Sequence, residues 1–330
     1  MSRVRLINLK LRRRLLYPLL VIATSTLLGL ALAELGVRIL LPAPMNVQDE
    51  RNLTYRFDAR LGWYPKEDSS NSFTASRTIQ VQHNHIGLRD VDPGPKTQKR
   101  LLFLGDSMVW GYDVNQEERF TDILRRSVRR FQIINAGVSG YGTDQEFLLL
   151  QQLFDRLMPD HVFLVFCTEN DRDDNSFNFS VSFTGPYFHE NGYYKPYFEA
   201  KNGKLELNGL PVPRSVTYYR IQFPMLFQSR LVTTTFGLYR RYTSPVKMVA
   251  DPTETIFKAM KEYLDRRGVT LTVGLTKPDP KLEMFLNTLR VDSLELDTPL
   301  RYPKWGHHWT PHGHEVVSNR IRSYLEKEEW

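Results

Sequence analysis

The stretch Arg100-Leu101-Leu102-Phe103-Leu104-Gly105-Asp106-Ser107 decides the reading of this chain: four apolar residues in a row run straight into a Gly-Asp turn. A short apolar run bounded by turn residues is the mark of a strand buried on both faces. Outward from it the pattern repeats. A helix is expected over residues 120–130, a strand over 132–135, a Gly-rich turn, a helix over 144–157, and a strand over 161–166 that again ends in a polar turn. The rhythm returns after residue 250, with helices over 254–267 and 281–289 and strands over 270–275 and 292–296. A closing helix is expected over 311–324, with Thr310 as N-cap and Pro311 at its first position. Apolar strands alternating with helical stretches predict an α/β domain whose parallel sheet is covered on both faces.

Two segments depart from that rhythm. Residues 42–99 are polar and interrupted by Pro42, Pro44, Pro65, Pro93 and Pro95, and they are expected to form an extracytoplasmic stalk with a few short strands. Residues 176–250 are rich in Phe and Tyr, carry turn signals at Asn191-Gly192 and Asn202-Gly203, and lack βαβ periodicity. They are expected to be an insertion or lid within a domain spanning 100–330, with aromatics that pack under the insertion or line a carbohydrate or acyl cleft.

The formal charge of +7 is concentrated at the start of the chain. Arg3, Arg5, Lys10, Arg12, Arg13 and Arg14 are six of the 44 cationic residues, so the other 38 nearly balance 37 acidic ones. A near-neutral body argues against nucleic acid as a partner, because phosphate binding needs clustered Lys and Arg. Residues 15–33 follow without a charge, long enough to cross a hydrocarbon core of roughly 30 Å. Residues 1–14 are thus expected as a cytoplasmic tail and 15–41 as a transmembrane helix or signal anchor. By the positive-inside bias the rest lies outside the membrane. A cleaved signal peptide is the alternative, since Ala31-Leu32-Ala33 has the small-x-small form of a cleavage site. The expected location is a bacterial cytoplasmic membrane, single-pass, with the C-terminal domain on the periplasmic side. The only cysteine, Cys167, permits no intramolecular disulfide and reads as core.

In a parallel α/β sheet, ligands bind beyond the carboxyl ends of the strands. Four turns there carry chemistry. Ser107 follows the first strand, where a tight turn presents a hydroxyl and its own N–H to a cleft. Asn135-Ala136-Gly137-Val138-Ser139-Gly140-Tyr141-Gly142 supplies glycines that let backbone N–H groups approach a ligand. Thr168-Glu169-Asn170-Asp171 places an amide side chain after a buried strand. Trp305-Gly306-His307-His308-Trp309-Thr310-Pro311-His312-Gly313-His314 brings histidines ahead of the last helix, where one can act as a general base. Asp171, Asp173 and Asp174 lack the glycine and distal Glu of an EF-hand loop and read as a solvated turn. His308 and His312 are four apart, but Pro311 starts the helix between them; no metal and no cofactor is expected.

The order of these four blocks resembles the SGNH, or GDSL-type, hydrolase family over roughly residues 80–325. The resemblance implies a flavodoxin-like three-layer α/β/α sandwich in addition to the N-terminal transmembrane helix. It implies Ser107 as nucleophile, His308 as general base, and an oxyanion hole made by the N–H groups of Ser107 and Gly140 and the amide of Asn170. The segments Asn84-His85-Ile86-Gly87-Leu88-Arg89, Tyr141-Gly142-Thr143-Asp144-Gln145 and His308 to His314 look like a membrane-anchored bacterial branch that includes proteins of cell-surface polysaccharide O-acetylation and deacetylation. On that resemblance the expected activity is a serine esterase or O-acyltransferase acting on acetyl or other acyl esters of an extracytoplasmic glycan, with a membrane acyl-transfer protein as a further partner. A lipid esterase and a catalytically impaired binding or scaffold protein are the alternatives. Two departures stand out. Thr168 replaces the usual Gly of the third block, and Gly306 and Trp305 stand where the family places the Asp that orients the histidine. Asp297, Asp292 or a backbone carbonyl is expected to take that role.

Overall fold

A computed structural model describes residues 3–41, 54–180, 192–304 and 306–327. The chain begins with α1 (Arg3–Leu40), of which Leu16–Leu40 is apolar, with a mean hydropathy of 2.0, and largely exposed. It is long and apolar enough to cross a membrane. Two antiparallel hairpins follow, β1 (Tyr55–Asp58) with β2 (Gly62–Pro65) and β3 (Ser70–Thr74) with β4 (Thr78–Gln82).

The α/β unit then runs β5 (Lys99–Gly105), α2 (Ser107–Trp110), α3 (Phe120–Ser127), β6 (Phe131–Asn135), α4 (Thr143–Leu157), β7 (His161–Phe166) and α5 (Asp171–Asn175). The insertion holds β8 (Tyr197–Lys201), β9 (Lys204–Asn208), α6 (Val216–Gln222) and α7 (Arg230–Thr243). The chain closes through α8 (Thr253–Asp265), β10 (Thr270–Leu275), α9 (Pro280–Thr288), β11 (Asp292–Glu295) and α10 (Pro311–Lys327). The five strands β6-β5-β7-β10-β11 pair in that order, all parallel. This is the flavodoxin-like order, in which the connections reverse direction between β5 and β7 and open a crevice there.

The strands are apolar on both faces because both are covered. Leu102, Leu104, Val162, Leu164 and Phe166 face α4 and α8 in one core, while Leu101, Phe103, Phe163 and Val165 face α3 and α10 in the other. Thr310 caps α10 as its sequence predicts, accepting from the Gly313 N–H at 3.2 Å.

Residues 42–99 are not a free-standing stalk where they are described. Residues 42–53 lie outside the described residues, but from Thr54 onward the hairpins are docked on the α/β unit. Tyr55, Leu61, Trp63 and Tyr64 are buried in the same core as α4. The insertion is docked as well. Tyr193, Tyr194, Tyr197 and Phe198 are buried, and Tyr193 meets Trp63 and Tyr218 edge-on or tilted, so these aromatics pack as structure. Asn202 and Gly203, both with positive φ, turn β8 into β9 as predicted; Asn191 lies outside the described residues.

Candidate active site

The polypeptide leaves β5 at Gly105 and turns at once into α2, a single turn of helix. Asp106 caps it, its carboxylate accepting from the Met108 N–H at 2.8 Å, which fixes the backbone on either side of Ser107. The Ser107 hydroxyl points out of this turn and lies 2.7 Å from Nε2 of His308. The two residues are 201 positions apart and are brought together only by the fold. His308 sits on the loop before α10, and that loop is clamped at both ends. Tyr302 N–H donates to the His308 carbonyl at 2.8 Å, and Thr310 N–H donates to Leu300 at 2.9 Å.

Two neighbours confine the imidazole. Tyr112, five residues after the serine, stacks on it with ring centroids 4.2 Å apart and planes 22° from parallel. Gly306 approaches it as backbone: at φ +85°, a Cβ built there would lie 2.8 Å from Cε1 of His308. The glycine found where an orienting Asp is expected is therefore a steric requirement of this loop. Asp297 pairs with Arg301 at 3.4 Å, and no hydrogen bond joins it to His308 among the described residues. Asp292 accepts from the Tyr324 hydroxyl at the far end of β11. The other loop histidines diverge from the serine. His312 pairs with Glu315 on the surface, and His314 is buried, accepts from the Phe120 N–H at 3.2 Å and is pulled down to about 3 by burial.

Gly140 occupies the third position of a turn closed by Tyr141 N–H to Val138 O at 3.1 Å, with φ +78°. A left-handed residue at that position belongs to a type II turn, which selects glycine. The turn is buttressed by the first hairpin: Trp63 donates to the Ser139 carbonyl at 3.2 Å, and the Tyr141 hydroxyl donates back to the Trp63 carbonyl at 2.5 Å. Val138 N–H donates to Gly105 O at 3.0 Å, which lays this turn directly beside the one carrying Ser107.

Asn170, at the start of α5, donates from Nδ2 to Asp174 at 2.9 Å and stands 3.5 Å from Asp106. Both amide hydrogens thus face carboxylates, the one toward Asp106 across a long contact that a ligand oxygen in the crevice would have to compete with. Behind it lies a group of buried carboxylates. Asp171 and Asp174 are 0% and 2% exposed, which corrects the expectation of a solvated turn; Asp173 alone of the three is exposed. Asp106, Asp144 and Glu146 are buried with them. Burial first, and then the charges of one another, push Glu146 and Asp171 well above the usual carboxylate range. Burial pushes Asp106 up to about 6 and Asp174 up to about 7. Lys195 enters from the insertion and is itself buried, contacting Asp144 and donating to the Asp174 carbonyl at 2.8 Å.

On the opposite side of α2 the fold buries cations. Arg89, from the Asn84 to Arg89 segment, donates to the carbonyls of Gln80, Trp110, Gly111 and Val114 at 2.6–3.1 Å. Its guanidinium also lies 4.6 Å over the Trp110 ring. It therefore staples the loop that carries both Ser107 and Tyr112. The sequence offered a partial signal for Arg89 in the motif containing it, and none for Tyr112.

No protein-family model and no curated protein matches the chain. Among solved structures it is similar to a GDSL-like lipase from Bacteroides thetaiotaomicron, at 15% identity over 72% of this chain and 92% of that one, with a TM-score of 0.40. It is also similar to the psychrotrophic esterase EstA from Pseudoalteromonas sp., at 11% identity over 70% of this chain and 98% of that one, with a TM-score of 0.41. Est24, a carbohydrate acetylesterase from Sinorhizobium meliloti, is similar at 14% identity over 70% of this chain and 99% of that one, with a TM-score of 0.35. Overlaps this loose leave the functional reading to the chain's own geometry.

Proposed function

We propose that this chain is a serine-dependent esterase or O-acyltransferase acting on acyl esters, foremost acetyl esters, of a glycan outside the cytoplasmic membrane. The observation that carries the reading is the 2.7 Å contact of Ser107 Oγ with His308 Nε2, at the point of the parallel sheet where ligands bind. In the proposed reaction His308 Nε2 takes the hydroxyl proton as Oγ bonds to the ester carbonyl carbon. The oxyanion is received by the N–H groups of Ser107 and Gly140 and by the Asn170 amide, whose long hydrogen bond to Asp106 is exchanged for the ligand oxygen. As the tetrahedral intermediate collapses, the ester C–O bond breaks and His308 returns the proton to the leaving alcohol. Water, or a sugar hydroxyl, then attacks the acyl-serine by the reverse path. No step calls on a metal or a cofactor. The anchored N-terminus and the motif resemblance to a membrane-anchored branch support a surface glycan as substrate.

The test is hydrolysis of a small acetyl ester and labelling by a fluorophosphonate, with the full chain in detergent. Ser107→Ala is expected to abolish labelling and to lower turnover by about 10³-fold or more. Acetate transfer to added glycan, measured against acetate release to water, separates the two acceptors. Gly306, in the place of an orienting carboxylate, favours one second reading: a scaffold that keeps the fold without turnover. Folded wild type that neither labels nor hydrolyses would establish it.

A further inference from the structure

α1 and the insertion meet at one place. Glu34 accepts from the N–H groups of Arg230 and Leu231 and from the Ser229 hydroxyl at 2.8–2.9 Å, so a residue of α1 caps the first turn of α7. Four residues on, Arg38 donates to the Gln228 carbonyl at 3.1 Å. The uncharged part of α1 ends at Ala33. About 18 residues at ~1.5 Å each match the thickness of a hydrocarbon core, so Glu34 emerges at the level of the lipid headgroups and fixes the start of α7 there.

The segment held at that level is unlike the rest of the surface. Ile221, Phe223, Met225 and Leu226 are 49%, 47%, 86% and 56% exposed, and they lie just before the Gln228 and Ser229 contacts with α1. Leu238 and Tyr242 on α7 are 59% and 89% exposed. Clustered exposed apolar side chains of this size mark a surface that meets another phase or partner. The charge agrees with a lipid surface: between Glu206 and Asp251 there is no acidic residue, while Arg214, Arg220, Arg240, Arg241 and Lys247 are basic and exposed at least in part. Apolar and aromatic side chains interleaved with cations suit an interface of acyl chains and anionic headgroups. A second copy would present the same positive charge to itself.

We propose that the end of α6, the loop after it and α7 form a foot that lies in the headgroup layer of the membrane crossed by α1, with the phospholipid surface as its ligand. This rests on α1 being a membrane anchor, and it is independent of esterase activity. The test places a spin label at Met225→Cys in the full chain, reconstituted into vesicles of phosphatidylcholine and phosphatidylglycerol. Reference labels go at Leu27→Cys in α1 and at Met284→Cys on α9, which is 68% exposed. Cys167 is buried and free, and its substitution by Ser removes it from the labelling. The label at 225 is expected to collide with a water-soluble nickel chelate several-fold less often than the label at 284, and with oxygen more often. Equal nickel access at 225 and 284, with the label at 27 in lipid, overturns the foot. Spin–spin broadening at 225 that grows with the protein-to-lipid ratio also overturns it, assigning the face to a second copy. Nickel access at 27 would remove the anchor itself, and acetyl-ester turnover of the same samples reports the proposed activity separately.

Discussion

Arg89 and Asp174 are both buried behind the turns that form the crevice, and the fold accommodates them by different means. Arg89 is surrounded by backbone carbonyls and keeps its charge, even with burial drawing it down to about 9. Asp174 shares a crowded pocket with other carboxylates, and burial pushes it up to about 7, so it is largely neutral under mildly acidic conditions. A cation among carbonyls is satisfied by geometry at any ordinary pH. Carboxylates among carboxylates are satisfied by protons, and so answer to pH.

The sharpest way to break that contrast is on the cationic side. Arg89→Met strips four carbonyls of their donor at once, and each buried acceptor left unpaired costs about 1–3 kcal/mol. The expected result is a large fall in melting temperature that is nearly the same at mildly acid and mildly alkaline pH. On the acid side the sign reverses. The folded value of Asp174 lies above its ordinary 3.8, so the folded state holds a proton that the unfolded state releases. Stability from this group is full below about 4 and is lost as the pH rises to about 7. Asp174→Asn is expected to be neutral at the acid end and stabilising at the alkaline end, by on the order of 2–4 kcal/mol. Thermal unfolding across the range checks it, and a uniform gain or loss at every pH would refute the protonation account.

Smaller effects test what stands between the two sides. Gly306→Ala introduces a methyl against the imidazole and is expected to lower kcat about 10- to 100-fold with little change in KM, because misplacing a reacting group by about 1 Å has that scale. Tyr112→Leu removes the stacked ring and is expected to lower kcat about 3- to 10-fold, a stacking contribution of about 1 kcal/mol. Unchanged kcat in both variants would mean that the imidazole is oriented by something other than these two contacts.

The strands of the sheet were legible because burial on both faces leaves an unbroken apolar run. His161–Phe166 and Thr270–Leu275 coincide with the expected segments for that reason. The turns that carry Ser107, Gly140, Asn170 and His308 were legible as turns, because each follows a strand or precedes a helix, where the fold leaves a polar segment. The docking of the short strands over 54–82 was not, because a polar segment with Trp63 and Tyr64 reads like a tether with stray aromatics until its partners in the core are known. The carboxylate group was not legible either: aspartates at 171 and 174 look solvated until α4, bearing Asp144 and Glu146, is laid against them. Tyr112 had no signal at all, since stacking on a residue nearly two hundred positions away is a property of the closed fold.

Lys195 has a consequence for anyone wishing to trim this protein. It belongs to the insertion, yet its ammonium group is the counter-ion of Asp144, on a helix of the sheet domain. A version excised to the sheet and its helices would strand that carboxylate, so the insertion is a keystone and not a graft, and the smallest autonomous unit has to include it.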